Sequence, residues 1–239
     1  MNLAQILQTD KHCQQVYFSQ RADTRIEVIK SKKHMWLTIN HVVQSAIELS
    51  PPYRPALPHC MVMLLPLIHD RVPEQVLELG GGAQSIQRYL THSQPNVQFT
   101  SVESNPDVIK LTREVFPSGA DLNIVETDAF EYVHQCAKQN QTFDWIIVDL
   151  FHGADSSINA GHISFFDKVH QCLNNDGWLI LNCLYPEHEK RDKLVNQVAQ
   201  TFSHSPYMFA VPQMQNHILL INKQETFHFP EEIEQHNLT

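Results

Sequence analysis

Between Gln75 and Cys183 the chain alternates short apolar runs with helical stretches, and this alternation does most to limit what it can fold into. The runs are Val76–Leu79, Val97–Val102, Leu122–Val125, Trp145–Leu150 and Trp178–Cys183. Helical stretches separate them, for example Asn105–Val115, opened by Asn105 as cap and Pro106 in the first turn. Strands divided by helices pair in parallel, because parallel neighbours need a crossover connection. Tyr207–Val211 and His217–Ile221 lie only five residues apart. That gap is too short for a crossover, so this last pair is expected to be antiparallel. The expectation is an α/β fold with a seven-stranded sheet, five strands parallel and the final pair antiparallel.

The first part of the chain reads differently. Arg25 to Ile29 and Met35 to Ile39 are β-like runs joined by the polar stretch Lys30 to His34, which predicts a hairpin in a small N-terminal β-domain over residues 1–55. Ser50-Pro51-Pro52 breaks the chain, and Pro55 and Pro58 introduce a helix over about His59 to His69. The sheet domain is expected over residues 56–223, and residues 224–239 as a peripheral acidic tail. A formal net charge of -9 without a clustered basic face argues against a nucleic-acid partner, since phosphate binding needs grouped cations. The five scattered cysteines form no C-x-x-C pair, so neither a disulfide framework nor a metal site is expected. The longest apolar run, Met61 to Ile68, is too short to span a bilayer, and Met1 to Lys11 lacks the pattern of a secretory leader. A cytoplasmic location without membrane association is expected.

Four places carry candidate chemistry. In Val76-Leu77-Glu78-Leu79-Gly80-Gly81-Gly82, three of the chain's seven glycines follow a strand and precede a helix. Glycines there let backbone amides approach a ligand, although a tight turn alone would use them too. Ser85 occupies the sixth position of what would be G-x-G-x-x-G, which counts against a dehydrogenase fingerprint. Glu103 ends the next strand, where a carboxylate can accept bonds from both ribose hydroxyls of a nucleoside. Asp128 and Ala129 follow the third strand; Asp128 either reads an adenine amino group or caps the next helix. Asp149 ends the Trp145–Leu150 run at the edge where open α/β sheets bind ligands, and a partly desolvated carboxylate there can hold an amine or take its proton. His152 and Asp155 follow in the adjoining loop as further acid–base candidates.

Taken together these residues resemble the spermidine synthase family, on a Rossmann-like class I methyltransferase sheet. Leu37-Thr38-Ile39-Asn40-His41-Val42-Val43-Gln44 is similar to the family's L-x-L-D-G-x-x-Q segment, His59 to the His of its Y-H-E motif, and Gly80, Gly81 and Gly82 to its G-G-G-D-G turn. Glu103 matches its ribose-binding acid, Asp128 the acid of its G-D-A, and Asp149 the first Asp of its D-S-x-D loop. The resemblance implies that Gln44, His59, Glu78, Gly80 to Gly82, Glu103, Asp128 and Ala129 bind S-adenosylmethionine or its decarboxylated form. It implies that Asp149, with His152 and Asp155, acts on a small-molecule acceptor such as an amine. It also implies a homodimer supported by the N-terminal β-domain.

Departures from the family pattern bear on the donor. Ala83 stands where the family's Asp holds the donor amine, His152 replaces the second loop Asp, and Pro58 and Cys60 replace the residues flanking His59. Each lost charge-assisted bond is worth about 1.5–3 kcal/mol. An Ala at 83 would not repel the carboxylate of intact S-adenosylmethionine, and Glu78 resembles the acid of the methyltransferase turn. The leading expectation is therefore an S-adenosylmethionine-dependent transferase moving a methyl group. The alternatives are a polyamine aminopropyltransferase with Glu78 and Asp155 as rearranged anchors, and a non-catalytic nucleoside-binding scaffold.

Overall fold

The computed structural model of the chain describes residues 12–69, 71–119, 121–152, 155–156, 163–185, 187–225 and 229. It opens with an antiparallel meander of four strands, β1 (Gln14–Arg21), β2 (Thr24–Lys30), β3 (His34–Ile39) and β4 (Val42–Glu48). The expected hairpin is its centre, β2–β3, flanked by two strands that the sequence reading did not separate. Asn40 and His41 link β3 to β4 as a two-residue turn, both at positive φ, which is the backbone that a tight hairpin twisted like its strands requires.

Helices α1 (Pro58–Met63) and α2 (Pro66–His69) follow. The single helix expected over this stretch is broken before Pro66, which cannot continue the hydrogen-bond ladder and disfavours helical backbone in the residue before it. From there the chain alternates β5 (Gln75–Leu79), α3 (Ser85–Ser93), β6 (Gln98–Glu103), α4 (Pro106–Glu114), β7 (Ile124–Glu126), α5 (Ala129–Lys138) and β8 (Phe143–Val148). A two-stranded ladder of β9 (Phe151–His152) and β10 (Asp155–Ser156) comes next. Then come α6 (Ile163–Gln171), β11 (Leu173–Cys183), α7 (His188–Phe202), β12 (Tyr207–Ala210) and β13 (His217–Asn222). The large sheet has the order β12-β13-β11-β8-β5-β6-β7. Strands β5 to β8 and β11 run parallel, and β13 lies antiparallel between β11 and β12, as the short link between them dictated.

Alternate side chains of the central strands feed two cores. Leu77 and Leu79, Ile146 and Val148, and Leu179 and Leu181 pack on α5, α6 and α7. Val76, Trp145, Ile147, Trp178 and Ile180 pack on α1 and α3 and on Trp36 and Ala46 of the small sheet. Burial on both faces explains why β8 reads as an uninterrupted apolar run. A third core joins the other face of the small sheet, through Val28 and Leu37, to Val108 and Leu111 of α4. The tail is not peripheral throughout: Phe229 is buried, with its ring edge-on to Tyr207 and Phe209. An aromatic ring buries too much apolar surface to stay in water when such a slot is open. The remainder of the tail, 226–228 and 230–239, lies outside the described residues. Among the described residues no helix is long and apolar enough to cross a membrane.

Candidate active site at the strand-order reversal

Strand order reverses between β5 and β8: the chain moves outward to β6 and β7 on one side and to β11 on the other. Open α/β sheets bind ligands in the crevice this reversal creates. A cavity of about 480 Å³ lies there, closed on its other side by β3, β4 and α1. Its size falls within the roughly 300–1,000 Å³ of small-molecule sites.

The glycine turn forms the floor. Gly80 and Gly82 adopt positive φ, and a Cβ on Gly80 would collide with the carbonyl oxygen of Asp149. Only glycine fits between these two strand ends. The turn is clamped from the small sheet, where Ser45 Oγ accepts a bond from the Ala83 amide and Ser85 Oγ donates to the Ala46 carbonyl. From α4, Thr112 Oγ1 donates to the Gly82 carbonyl.

Three carboxyl groups face this floor. Glu78 points, like its neighbour Val76, to the α1 side of the sheet, and Ser101 beside it on β6 donates a hydroxyl bond of 3.0 Å to Oε2. Burial pushes Glu78 up to about 8; the Ser101 bond opposes this, and the charges of Asp149 and Glu103 add to it. Glu103 accepts the Asn105 amide at 2.9 Å and is also raised by burial, against the pull of the surrounding backbone amides. Asp149 Oδ1 accepts from Asn182 Nδ2 at 2.8 Å, and burial pushes the carboxyl up to about 7, with that bond opposing and Glu103 adding. Among the described residues no three His, Cys, Asp or Glu side chains gather as a metal-binding set.

Each expected binding residue, Gln44, His59, Glu78, Gly80, Gly81, Gly82, Glu103, Asp128 and Ala129, lines the cavity together with Asp149. Asp128 caps α5, with both bonds, to Phe130 N and Glu131 N, falling on Oδ1, so the capping alternative describes one of its two oxygens. His59 is buried with Nδ1 unbonded, and burial pushes it down to about 4, leaving a neutral ring at neutral pH. Cys60 beside it is raised well above its usual value by burial and by Asp149 and Glu78, so it is a thiol. The backbones of His152 and Asp155 pair across β9 and β10, but their side chains lie outside the described residues. Ala83 does not face the ligand space as expected: its side chain is buried in the core between the small sheet and α4. Two residues that the sequence reading passed over, Ser101 and Asn182, hold carboxyl groups. Asn182 closes the apolar run Trp178–Leu181, and that was the available signal; Ser101 lies among the other polar residues of β6 and gave none.

The sequence profile of the spermine/spermidine synthase domain matches residues 56–231. The polyamine aminopropyltransferase of Neisseria meningitidis serogroup A is 29% identical over 144 residues, which cover 59% of this chain and 54% of that protein. The chain thus spans about half the length of the curated relatives it matches. Among solved structures, a probable spermidine synthase from Corynebacterium glutamicum superposes with a TM-score of 0.70 at 23% identity, covering 88% of this chain and 81% of that one. Human methyltransferase-like protein 13, in complex with SAH, superposes with a TM-score of 0.65 at 20% identity over 74% of this chain and 88% of that one. At these identities the two likenesses bear on the fold alone.

Proposed function

The chain belongs to the spermine/spermidine synthase family, and from that premise we propose that it transfers an aminopropyl group from decarboxylated S-adenosylmethionine to an amine acceptor. The charge of the cavity carries this reading. Glu78, Glu103 and Asp149 line it, and among the described residues neither Lys nor Arg does. Intact S-adenosylmethionine brings a carboxylate that such a wall leaves without a cationic partner, next to buried acids; a buried charge without a partner is costly. The decarboxylated donor carries only positive charges. Methyl transfer from the intact donor, the leading expectation from the sequence, loses both of its supports. Ala83 lies in the core, and Glu78 is a buried carboxyl aimed into the cavity, which suits an ammonium. The name of the Neisseria relative favours the same reading.

The residues present suit such a donor. The glycine turn lines the cavity, Glu103 is held by backbone amides at the β6 tip, and Asp128 Oδ2 is not used in the cap. His59 Nδ1 is a buried nitrogen that a ligand atom would satisfy. Glu78 takes the donor's ammonium. When bound, the donor supplies a sulfonium carbon: the acceptor nitrogen's lone pair forms the new C–N bond as the C–S bond breaks, its electron pair staying on sulfur. Asp149 orients the acceptor amine at the switch point and receives the proton that the new secondary ammonium sheds. A carboxyl near neutrality can then release that proton to water.

Calorimetry with the decarboxylated donor, the intact donor and methylthioadenosine tests the proposal, followed by turnover with putrescine. The decarboxylated donor should bind at least tenfold tighter than the intact one and be consumed in an amine-dependent way. Preference for the intact donor, with methyl transfer to any acceptor, would reverse the assignment.

A further inference from the structure

Behind Asp149, on the side away from the cavity, two buried amides stand in line. Asn182 on β11 gives its Nδ2 to Asp149 Oδ1 at 2.8 Å, and Asn216, just before β13, gives its Nδ2 to Asn182 Oδ1 at 2.9 Å. Both are almost wholly buried, and neither lines the cavity. The chemistry of the row sets its direction. An ionised Asp149 can only accept, so the nitrogen end of Asn182 must face it, and the oxygen end then needs the donor that Asn216 provides. The antiparallel pairing of β11 and β13 places the pair, with Asn182 opposite Ile218 and Asn216 two residues earlier in the link from β12.

We infer that Asn216 is a positioning residue for Asp149: by holding the Asn182 amide in one orientation, it keeps a hydrogen-bond donor on the carboxylate and favours its ionised form. The inference rests on the proposed role of Asp149 for its consequence in turnover, but not for the geometry. None of the other groups facing Asp149 favours its ionised form. Glu103 from β6 pushes its proton affinity up, Glu78 from β5 is a second acid coupled to it, and the Cys60 thiol from α1 is neutral. Among the described residues, the Asn182 amide is the one side chain recorded as donating to this carboxylate. A carboxyl that must receive a proton during the reaction has to be ionised beforehand, so a relay that favours ionisation sets the lower pH limit of activity.

The test uses variants of the full chain at Asn216, two that disturb the relay and one that partly restores it, and a readout independent of turnover. In Asn216→Leu the Asn182 oxygen loses its donor and the amide is free to turn. In the isosteric Asn216→Asp, the new carboxylate attracts the Asn182 nitrogen and turns its oxygen toward Asp149. The carboxyl carbon of Asp149 is titrated by NMR on protein labelled with carbon-13 at aspartate, with the signal assigned through Asp149→Asn. The midpoint should rise by about one unit in Asn216→Leu and by more in Asn216→Asp, and Asn216→Gln should restore part of the shift. The acid limb of kcat should move with it, while KM for the donor changes less than threefold. An unmoved midpoint in both variants overturns the inference, whatever their activity. A midpoint that moves in a protein with no amine-dependent turnover leaves the relay standing and removes the proposed function instead.

Discussion

The two walls of the cavity are built on different principles. The rim of the parallel sheet contributes charge: Glu78, Glu103 and Asp149 sit at or beside the ends of β5, β6 and β8, each tied to a named hydroxyl, amide or asparagine. The small antiparallel sheet contributes neutral groups, Leu37, Ile39, Asn40, Gln44 and Ser45. Charge is placed where strand ends and helix starts supply fixed dipoles to hold it, whereas the sheet that lies across the opening excludes water and shapes the space. On the proposed function, recognition of a cation and selection of its shape are divided between two separately hydrogen-bonded sheets.

That division can be broken most severely at Asp149. Asp149→Asn should lower turnover by about 10²–10⁴-fold, the usual contribution of a positioned acid–base group, while donor affinity measured by calorimetry stays within threefold. Glu78→Gln comes next: loss of one charge-assisted bond, about 1.5–3 kcal/mol, should weaken the decarboxylated donor by about 10- to 100-fold and leave the intact donor little changed. Equal losses for both donors would mean that Glu78 does not read the ammonium.

Acidity sharpens the contrast further. Asp149 and Glu78 carry folded-state pKa values of about 7 and about 8, above their ordinary 3.8 and 4.5. Between about pH 4 and pH 8 the folded chain therefore holds protons that the unfolded chain has lost, and stability must fall as pH rises through that window. Thermal unfolding of the ligand-free protein should show Tm dropping from pH 6 to pH 8. A contribution on the order of 1 kcal/mol from each group corresponds to about 2–4 °C for a chain of this size. Glu78→Gln should flatten the curve, and a saturating cationic donor should too. The neutral wall should respond least. Gln44→Ala is expected to cost donor affinity about two- to tenfold without moving the pH profile, in keeping with a neutral hydrogen bond of about 0.5–1.5 kcal/mol. A pH shift in that variant would show that the small sheet participates in the charge balance after all.

Much of this was legible in the residues. The alternation of apolar runs and helices led to a seven-stranded sheet with an antiparallel final pair, and the glycines with Glu103 and Asp149 marked the crevice, because strand-end carboxylates and glycine turns leave local signatures. What was not legible depends on packing at a distance. Strand β1 is polar and mostly exposed, with Phe18 outward, so it lacks the half-buried alternation that identifies a strand. The direction of Ala83 could not be read from its neighbours, since whether a turn residue faces a ligand or a core is decided by β4 and α4 closing over it. Phe229 stands just before the acidic run of Glu231, Glu232 and Glu234, and only the aromatic slot formed by Tyr207 and Phe209 shows why it is inside.

The contact between Gly80 and the Asp149 carbonyl has a consequence for variation in this chain. A methyl group at position 80 would meet the backbone of the strand bearing the proposed base, not the ligand. Mutational scanning should therefore find position 80 behaving as though it belonged to the reacting group. Its tolerated alphabet has one letter, and its failures should appear as a displaced proton acceptor in a protein whose nucleoside grip is otherwise sound.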